Sequence, residues 1–427
     1  MKMDRLQFLR SLGLGAGVLA ANPLRAAGAD ADTAVLWPPR VPVDSAEFWQ
    51  AVRAQYVTAS DLVYLNCGGL GPSPRPVLDI LDLTSRILQH RVETGHFFFE
   101  EARGVVAQFL GAKPEEICFT RNATEGNSVI AAGLALKSGD EVIFESHAHP
   151  GGSLPWLNRA RQAGIVVRTF EPDAASAAGN LERIAALVTP RTRVVQVSHV
   201  TAPTGIVMPV RELAALAREK GLWLHVDGAQ SAGMIPVDLA ALGCDSYATS
   251  GHKWLGAPRE TGVLYIRGER INDVAPMHVG AYSSDDFDLC GQLVYTQGAR
   301  RHEYGTRNAA SVVALAEATK FQSTIGRERI AAHDRALVEH LMAALAGIPR
   351  VKVLTPTDAS LRAAMVTFQV DGMEAGKVFG QLMETERLRC RPVTEAGLDA
   401  VRVSLHVFNT LEQTERVASS LARLTRA

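Results

Sequence analysis

From Glu141 onward the chain alternates short aliphatic, β-branched runs with stretches of helical periodicity, and this alternation narrows the possible folds more than any other feature. The apolar runs fall at 141–146, 166–170, 193–200, 222–227 and 262–267. Strands that recur between helices are joined by crossovers, which gives a largely parallel sheet covered on both faces. One crossover is legible residue by residue: Pro209 suits a first helical position, Leu213, Leu216 and Ala217 share a face, and Gly221 supplies a left-handed stop. A long helical segment begins near Ala309, after which runs at 351–354, 364–370 and 401–405 alternate with helices. The expected fold class is α/β, with a large domain over 81–308 built on a mainly parallel sheet and a smaller α+β C-terminal domain over 309–427. Residues 30–80 read as an N-terminal arm, extended over 30–60, where Pro38, Pro39 and Pro42 cluster.

A chain of 427 residues with 47% apolar and 21% charged residues can bury two such cores. Its formal net charge of -1 provides no electrostatic footprint for nucleic acid. Cys67, Cys118, Cys244, Cys290 and Cys390 are scattered, with no paired or metal-like spacing, and their odd number argues against a full disulfide framework. They read as small buried hydrophobes.

The first 29 residues differ from the rest. Lys2, Arg5 and Arg10 precede an apolar, glycine-bearing run over 12–21, and Ala27-Gly28-Ala29 offers a small-residue cleavage site, which together read as an export signal. That run is shorter than the roughly 20 residues a membrane span needs, and no later segment reaches that length. Asp4-Arg5-Leu6-Gln7-Phe8-Leu9-Arg10 resembles a twin-arginine export motif but has Leu6 where the second arginine belongs. Periplasmic delivery is the expectation, by a route that moves folded proteins.

The chemistry concentrates in two motifs. Leu222-Trp223-Leu224-His225-Val226-Asp227 is a buried strand ending on an acid, and ligands of such folds bind at the carboxyl ends of strands. A carboxylate there can pair with a protonated pyridine nitrogen, and Gln230 can hydrogen-bond a ring hydroxyl. Lys253 follows within Thr249-Ser250-Gly251-His252-Lys253-Trp254. Partial burial lowers an amine's pKa and frees its lone pair for Schiff-base formation, with Ser250 and His252 facing a phosphate. Acid and lysine together point to pyridoxal 5'-phosphate (PLP) as the cofactor. Asn122-Ala123-Thr124-Glu125-Gly126-Asn127 stands before a helical run over 128–136, so Ala123 and Thr124 offer N–H and hydroxyl donors to a phosphate. The same motif also reads as a helix cap.

Asp227-Gly228-Ala229-Gln230 followed by Ser250-Gly251-His252-Lys253-Trp254 resembles the class V aminotransferase family of PLP enzymes, fold type I. The resemblance runs from Tyr64-Leu65-Asn66 to Asn409-Thr410. It implies that His149 stacks on the pyridine ring, with His147 as the competing histidine. It implies further that Glu303-Tyr304-Gly305-Thr306 reaches the cofactor phosphate of another subunit, hence a homodimer with shared active sites in which Thr306 binds cofactor. Arg402 resembles the arginine that forks onto a substrate carboxylate, and Arg391 is a second candidate. Desulfurases of the family carry a nucleophilic cysteine a few residues after an arginine like Arg391. Here Pro392-Val393-Thr394-Glu395-Ala396-Gly397 follows it, and Cys390 lies before it.

Pro203-Thr204-Gly205 and Arg391-Pro392-Val393-Thr394-Glu395 are similar to the isopenicillin N epimerase-like branch of the family. With an export signal, this implies a periplasmic enzyme acting on the α-amino group of an amino acid or peptidyl glutamate, in aminotransferase-type tailoring of a pyoverdine-like siderophore side chain. Epimerisation and carbon–sulfur lysis are the alternatives within the family. A non-catalytic PLP-binding protein is the alternative outside it.

Overall fold

Seven strands form the larger sheet of the computed structural model, which describes residues 37–39, 41–43 and 45–426. The leader expected over 1–29 lies outside the described residues. In chain order the strands are β1 (Ile117–Thr120), β2 (Glu141–Glu145), β3 (Val166–Phe170), β4 (Thr192–Ser198), β5 (Trp223–Asp227), β6 (Ser246–Ser250) and β7 (Gly262–Ile266). Their spatial order is β1-β7-β6-β5-β4-β2-β3, with β7 antiparallel to both neighbours and every other pairing parallel. All five runs expected from the sequence are strands; β1 and β6 were not anticipated. β6 reads Ser-Tyr-Ala-Thr-Ser, polar in composition yet buried throughout. Its hydroxyls are satisfied inside the protein: Thr249 Oγ1 donates to the Gly228 carbonyl at 2.9 Å, and Ser246 Oγ accepts from Trp223 Nε1 at 2.8 Å. Burial of polar groups is tolerated where each finds such a partner.

After β2 the chain adds β3 on one side and returns to place β4 on the other. That reversal opens a crevice at the carboxyl ends of the strands, where an α/β sheet binds its ligands. Glu145, Ser198, Asp227 and Ser250 end β2, β4, β5 and β6.

The helices that matter to the site are α1 (Ala123–Gly133), α2 (Pro150–Ala163), α3 (Val210–Lys220), α4 (Ala309–Ile325) and α5 (Arg327–Ala346). α3 is the expected crossover, entered from Pro209 and stopped by Gly221 at φ 66°. α1 begins five residues before the expected start at Ser128, because Asn122 caps it by accepting from Glu125 N at 2.9 Å. Thr124 therefore sits in the first helical turn, not ahead of it.

Two expectations about organisation are corrected. The arm is not extended throughout: Ala46–Arg53 is helical, capped by Ser45 and anchored by buried Phe48 and Val52, and a second helix, Arg75–Arg91, runs across position 80. The boundary expected at 309 falls one helix early. Ala309, Val312, Ala314, Leu315, Ala316 and Ala318 of α4 enter the core of the large sheet, packed on Arg75–Arg91 and Phe99–Leu110. The alanines on the buried face let three helices approach closely, so α4 is held by the large sheet. The smaller core takes Leu337, Val338, Leu341 and Leu345 from α5, and Val63 and Leu65 from the N-terminal segment.

That core covers an antiparallel sheet of β8 (Val351–Val353), β9 (Met365–Val370), β10 (Arg391–Val393) and β11 (Ala400–Ser404), in the order β8-β9-β11-β10. Arg391 on β10 stands directly opposite Arg402 on β11. No helix of the described residues is long and apolar enough to cross a membrane.

Candidate active site

Lys253 lies on the turn that leaves β6, and a second loop fixes its backbone. Gly71 N donates to the His252 carbonyl at 2.8 Å, and a Cβ on Gly71 would stand 1.8 Å from the Lys253 carbonyl oxygen. Only glycine permits that approach. Burial is the main influence on the Lys253 amine and pulls it down from 10.5 to about 8; Asp227 opposes the shift, and Arg402 and Arg391 add to it. The amine is thus neutral for a sizeable fraction of the time in mildly alkaline solution.

Asp227 faces the same cleft from the end of β5. Its Oδ1 accepts from Ala229 N at 3.0 Å and its Oδ2 from Asn127 Nδ2 at 2.9 Å. Asn127 Nδ2 also donates to the Gly151 carbonyl at 3.1 Å, while its Oδ1 lies 2.9 Å from His225 Nε2. An amide oxygen only accepts, so His225 carries its proton on Nε2 and takes the Ser246 hydroxyl on Nδ1 at 2.8 Å. Burial pulls the His225 ring down to about 4, in keeping with that neutral tautomer. Asn127 and His225 were given no role in the sequence. The signal was present in the spacing, because Asn127 follows Thr124 by three on a helix and His225 precedes Asp227 by two on a strand.

The N-terminus of α1 faces the cleft beside Lys253. Ala123 N donates to Ser250 Oγ at 3.0 Å, Thr124 lines the opening, and buried His252 Nδ1 has no hydrogen-bond partner among the described residues. A helix N-terminus with two hydroxyls and an orphaned imidazole nitrogen suits an anionic group. The glycine pair of α2 lets that helix pass close by. A Cβ on Gly151 would stand 2.4 Å from Thr124 Oγ1, and one on Gly152 would stand 2.9 Å from Asp227 Oδ2.

His149, not His147, lines the cleft. It caps α2 with Nδ1 accepting from Gly151 N at 3.0 Å, which leaves the proton on Nε2. Burial lowers its pKa, with Lys253 adding to the effect. His147 is buried elsewhere, with Nδ1 3.0 Å from Thr204 Oγ1 and Nε2 3.1 Å from Glu171. Gln230 reaches the cleft with its amide already oriented: Nε2 donates to the Gly68 carbonyl and Oε1 accepts from Trp254 Nε1, each at 2.8 Å. One N–H of Gln230 remains for a ligand.

Arg402 and Arg391 form the far wall. Arg402 is 1% exposed, donates to the Ala202 carbonyl at 2.6 Å and to Asn66 Oδ1 at 3.2 Å, and meets no carboxylate among the described residues. Burial, then Arg391, pulls its guanidinium down to about 9. Arg391 is different: Glu395, given no role in the sequence, pairs with it. Thr306 is not brought to Lys253 within the chain; it lines a separate cleft with Arg121, Glu125, Tyr304 and Arg307.

A strand-end acid, a half-buried lysine and a helix N-terminus surrounding about 280 Å³ define the site of a fold type I PLP enzyme. The residues fit that cofactor: an open lone pair on Asp227 for the ring nitrogen, an unpartnered ring nitrogen on His252 beside the phosphate position, and glycines where its walls must thin. Residues 82–417 match the model of the class-V aminotransferase family, and the chain belongs to that family. PLP is the cofactor that family uses.

Among curated relatives, the chain is 31% identical to isopenicillin N epimerase of Amycolatopsis lactamdurans, over 88% of this chain and 99% of that one. It is 31% identical to a probable cysteine desulfurase of Mycobacterium leprae, over 85% and 92%. Among solved structures, the apo cysteine desulfurase of Thermococcus onnurineus superposes with a TM-score of 0.80 at 29% identity, covering 88% of this chain and 98% of that one. The cystine C–S lyase C-DES, in complex with its product cysteine persulfide, gives 0.78 at 28%, covering 85% and 98%.

Proposed function

We propose that this chain is a PLP enzyme acting at the α-carbon and α-amino group of an amino acid, free or as a peptidyl glutamate, with Lys253 as the residue that holds the cofactor. The observation that carries the reading is the meeting, in one cleft, of a lysine amine lowered to about 8, the Asp227 carboxylate and an arginine without a carboxylate partner among the described residues. When bound, PLP supplies an electron sink for the pair left at the substrate α-carbon. Asp227 holds the ring nitrogen and its proton. His149 would hold the ring face, Gln230 would offer its remaining N–H to the ring hydroxyl, and Ala123, Thr124, Ser250 and His252 would receive the phosphate. Arg402 takes the substrate carboxylate, and Lys253 Nζ accepts and returns the α-proton.

Amino-group transfer is the leading outcome. Epimerisation or carbon–sulfur cleavage is the second reading, favoured by the names of the relatives. Desulfuration through an enzyme thiol has little support. Cys390 is buried in the smaller core with its thiol pushed up to about 12 by burial, and no cysteine lies between Arg391 and Ala427.

The test is to add amino acids and siderophore-type peptides to purified protein, following the cofactor absorbance and then product mass and handedness. A band that moves and a keto product are expected. A static band would leave a non-catalytic PLP-binding protein, and inversion or a released thiol would favour the second reading.

Two parts of the proposal concern the whole enzyme. Arg5 and the apolar run behind it support export of the folded protein to the periplasm. Replacing both Arg5 and Leu6 with Lys is expected to block export, and continued periplasmic accumulation would count against this route. Exposed Phe287, Leu289, Leu293 and Val294, on and beside the hairpin Ser284–Phe287 and Leu293–Tyr295, support a homodimer in which Thr306 serves the partner's cofactor. Light scattering that finds a fully active monomer would remove that part.

A further inference from the structure

We propose that Glu395 makes this a one-carboxylate site: Arg402 takes the α-carboxylate of the substrate, and Glu395, seated on Arg391, excludes a second. The inference rests on the amino-acid reading above and specifies its substrate class, an amino-acid head group whose remaining chain carries no anion.

The argument starts from β10 and β11. Arg391 and Arg402 are direct cross-strand partners, and like charges placed opposite each other in a sheet repel. Both line the cleft that holds Lys253. A protein keeps two guanidinium groups there only if anions answer them. Glu395 answers one. It lies four residues beyond Arg391, pairs with it, and also accepts from Thr394 N at 3.1 Å. Its carboxyl is held below the usual range, against the cost of burial, by backbone N–H groups and by Arg391.

The chain turns sharply just past Glu395. Ala396 has φ 55° and Gly397 φ 68°, two successive left-handed residues. For alanine that conformation costs roughly 1 kcal/mol. Arg402 has received no such partner. Its donors meet a carbonyl and an amide oxygen, and its Nε is buried without one. A buried cation left with neutral partners is unfavourable until an anion arrives. The wall therefore offers one net positive charge, at Arg402. A second substrate carboxylate would have to displace Glu395 and lie beside it.

The test uses the holoenzyme with two probes, butyrate and glutarate, measured by calorimetry so that no turnover is needed. Wild type is expected to bind glutarate no more tightly than butyrate. Glu395→Gln frees Arg391 and should tighten glutarate by about tenfold with butyrate within about twofold. Arg402→Leu should weaken both. A wild type that prefers glutarate tenfold, or a ratio unchanged in Glu395→Gln, would overturn the proposal. If that variant does not fold, Arg391→Leu decides: an unchanged ratio supports it, and a selective loss of glutarate refutes it. Glutamine and glutamate, read by cofactor absorbance, separate the two levels of inference. Silence toward every amino acid sinks the amino-acid reading, while the butyrate-to-glutarate ratio is still read.

Discussion

Asn127 Nδ2 stands 2.9 Å from Asp227 Oδ2, and its surroundings leave the amide no other orientation. The Gly151 carbonyl and the Asp227 carboxylate can only accept, so turning the amide over would lose both bonds and set oxygen against oxygen at each. Trp223, Ser246, His225 and Asn127 thus form a chain of fixed donors ending on the acid proposed to hold the cofactor nitrogen. Asn127→Ala leaves Asp227 Oδ2 and His225 Nε2 without partners. A fall in kcat of about tenfold or more is expected with KM little changed, since a lost hydrogen bond to a charged group is worth roughly 1.5–3 kcal/mol. A displaced pH titration of the cofactor absorbance should accompany it. An unchanged titration would reduce Asn127 to a packing role.

Lys253 gives a stability prediction with a definite sign. Its amine lies at about 8 in the folded chain against 10.5 when unperturbed. Between those values the unfolded chain holds a proton that the folded chain lacks, so unfolding takes up protons and stability rises with pH. Below about pH 8 the folded protein bears the full cost of a desolvated ammonium. Lys253→Met should therefore raise the Tm of the apoprotein near pH 7, by an amount worth about 1–3 kcal/mol, with the gain fading between pH 8 and 10.5. The same variant should lose all turnover and all borohydride-trapped cofactor. A lower Tm at pH 7, or label on another lysine, would contradict the assignment.

Gly71 and Gly104 separate two uses of glycine. Neither has a left-handed backbone. A Cβ on Gly71 would meet the Lys253 carbonyl at 1.8 Å, and one on Gly104, inside the helix Phe99–Leu110, would meet nothing within 4 Å. Gly104→Ala should stabilise by about 0.5–1 kcal/mol through helix propensity. Gly71→Ala must push the lysine loop away and should abolish cofactor trapping at Lys253. Thermal melts and borohydride labelling of both variants check the pair.

The legibility of this chain follows the kind of signal each part carries. The apolar runs behind β2, β3, β4, β5 and β7 announced themselves, as did Gly221 at the end of α3. β6 did not, because serine and threonine in a strand look like a loop until the partners of their hydroxyls are known. Asp227 and Lys253 were recognisable because strand-end acid and motif lysine are local patterns, and the structure sets both on one cleft. His149 was preferred to His147 in the sequence, and the structure sets His149 on the cleft while Thr204 and Glu171 hold the His147 ring elsewhere. The pairing of Glu395 with Arg391 was hidden for a different reason: a turn through two left-handed residues, one of them alanine, has no reliable sequence signature. The boundary after α4 was hidden because an alanine-rich helix fits either domain by composition.

His406 and Asp334 carry the last prediction, because they tie the smaller domain to the lysine loop. His406 Nε2 lies 3.0 Å from the Trp254 carbonyl, which can only accept, so that nitrogen bears a proton. Its Nδ1 lies 2.7 Å from Asp334 Oδ2 on α5, and both residues are buried. The carbonyl so held belongs to the residue after Lys253, and its other side-chain partner is Gln322 Nε2 at 2.5 Å. Asp334→Leu should cost about 3–5 kcal/mol, because it strips a buried pair of one member. His406→Leu should cost a similar amount and also weaken cofactor binding, since the Trp254 carbonyl loses its tie to the smaller domain. In the double variant no charge is left behind, so the combined cost should fall short of the sum by about 1 kcal/mol or more. Urea denaturation of the four proteins, with cofactor affinity measured alongside, gives the cycle. Strict additivity, or full cofactor affinity in His406→Leu, would show that the pair does not hold the loop.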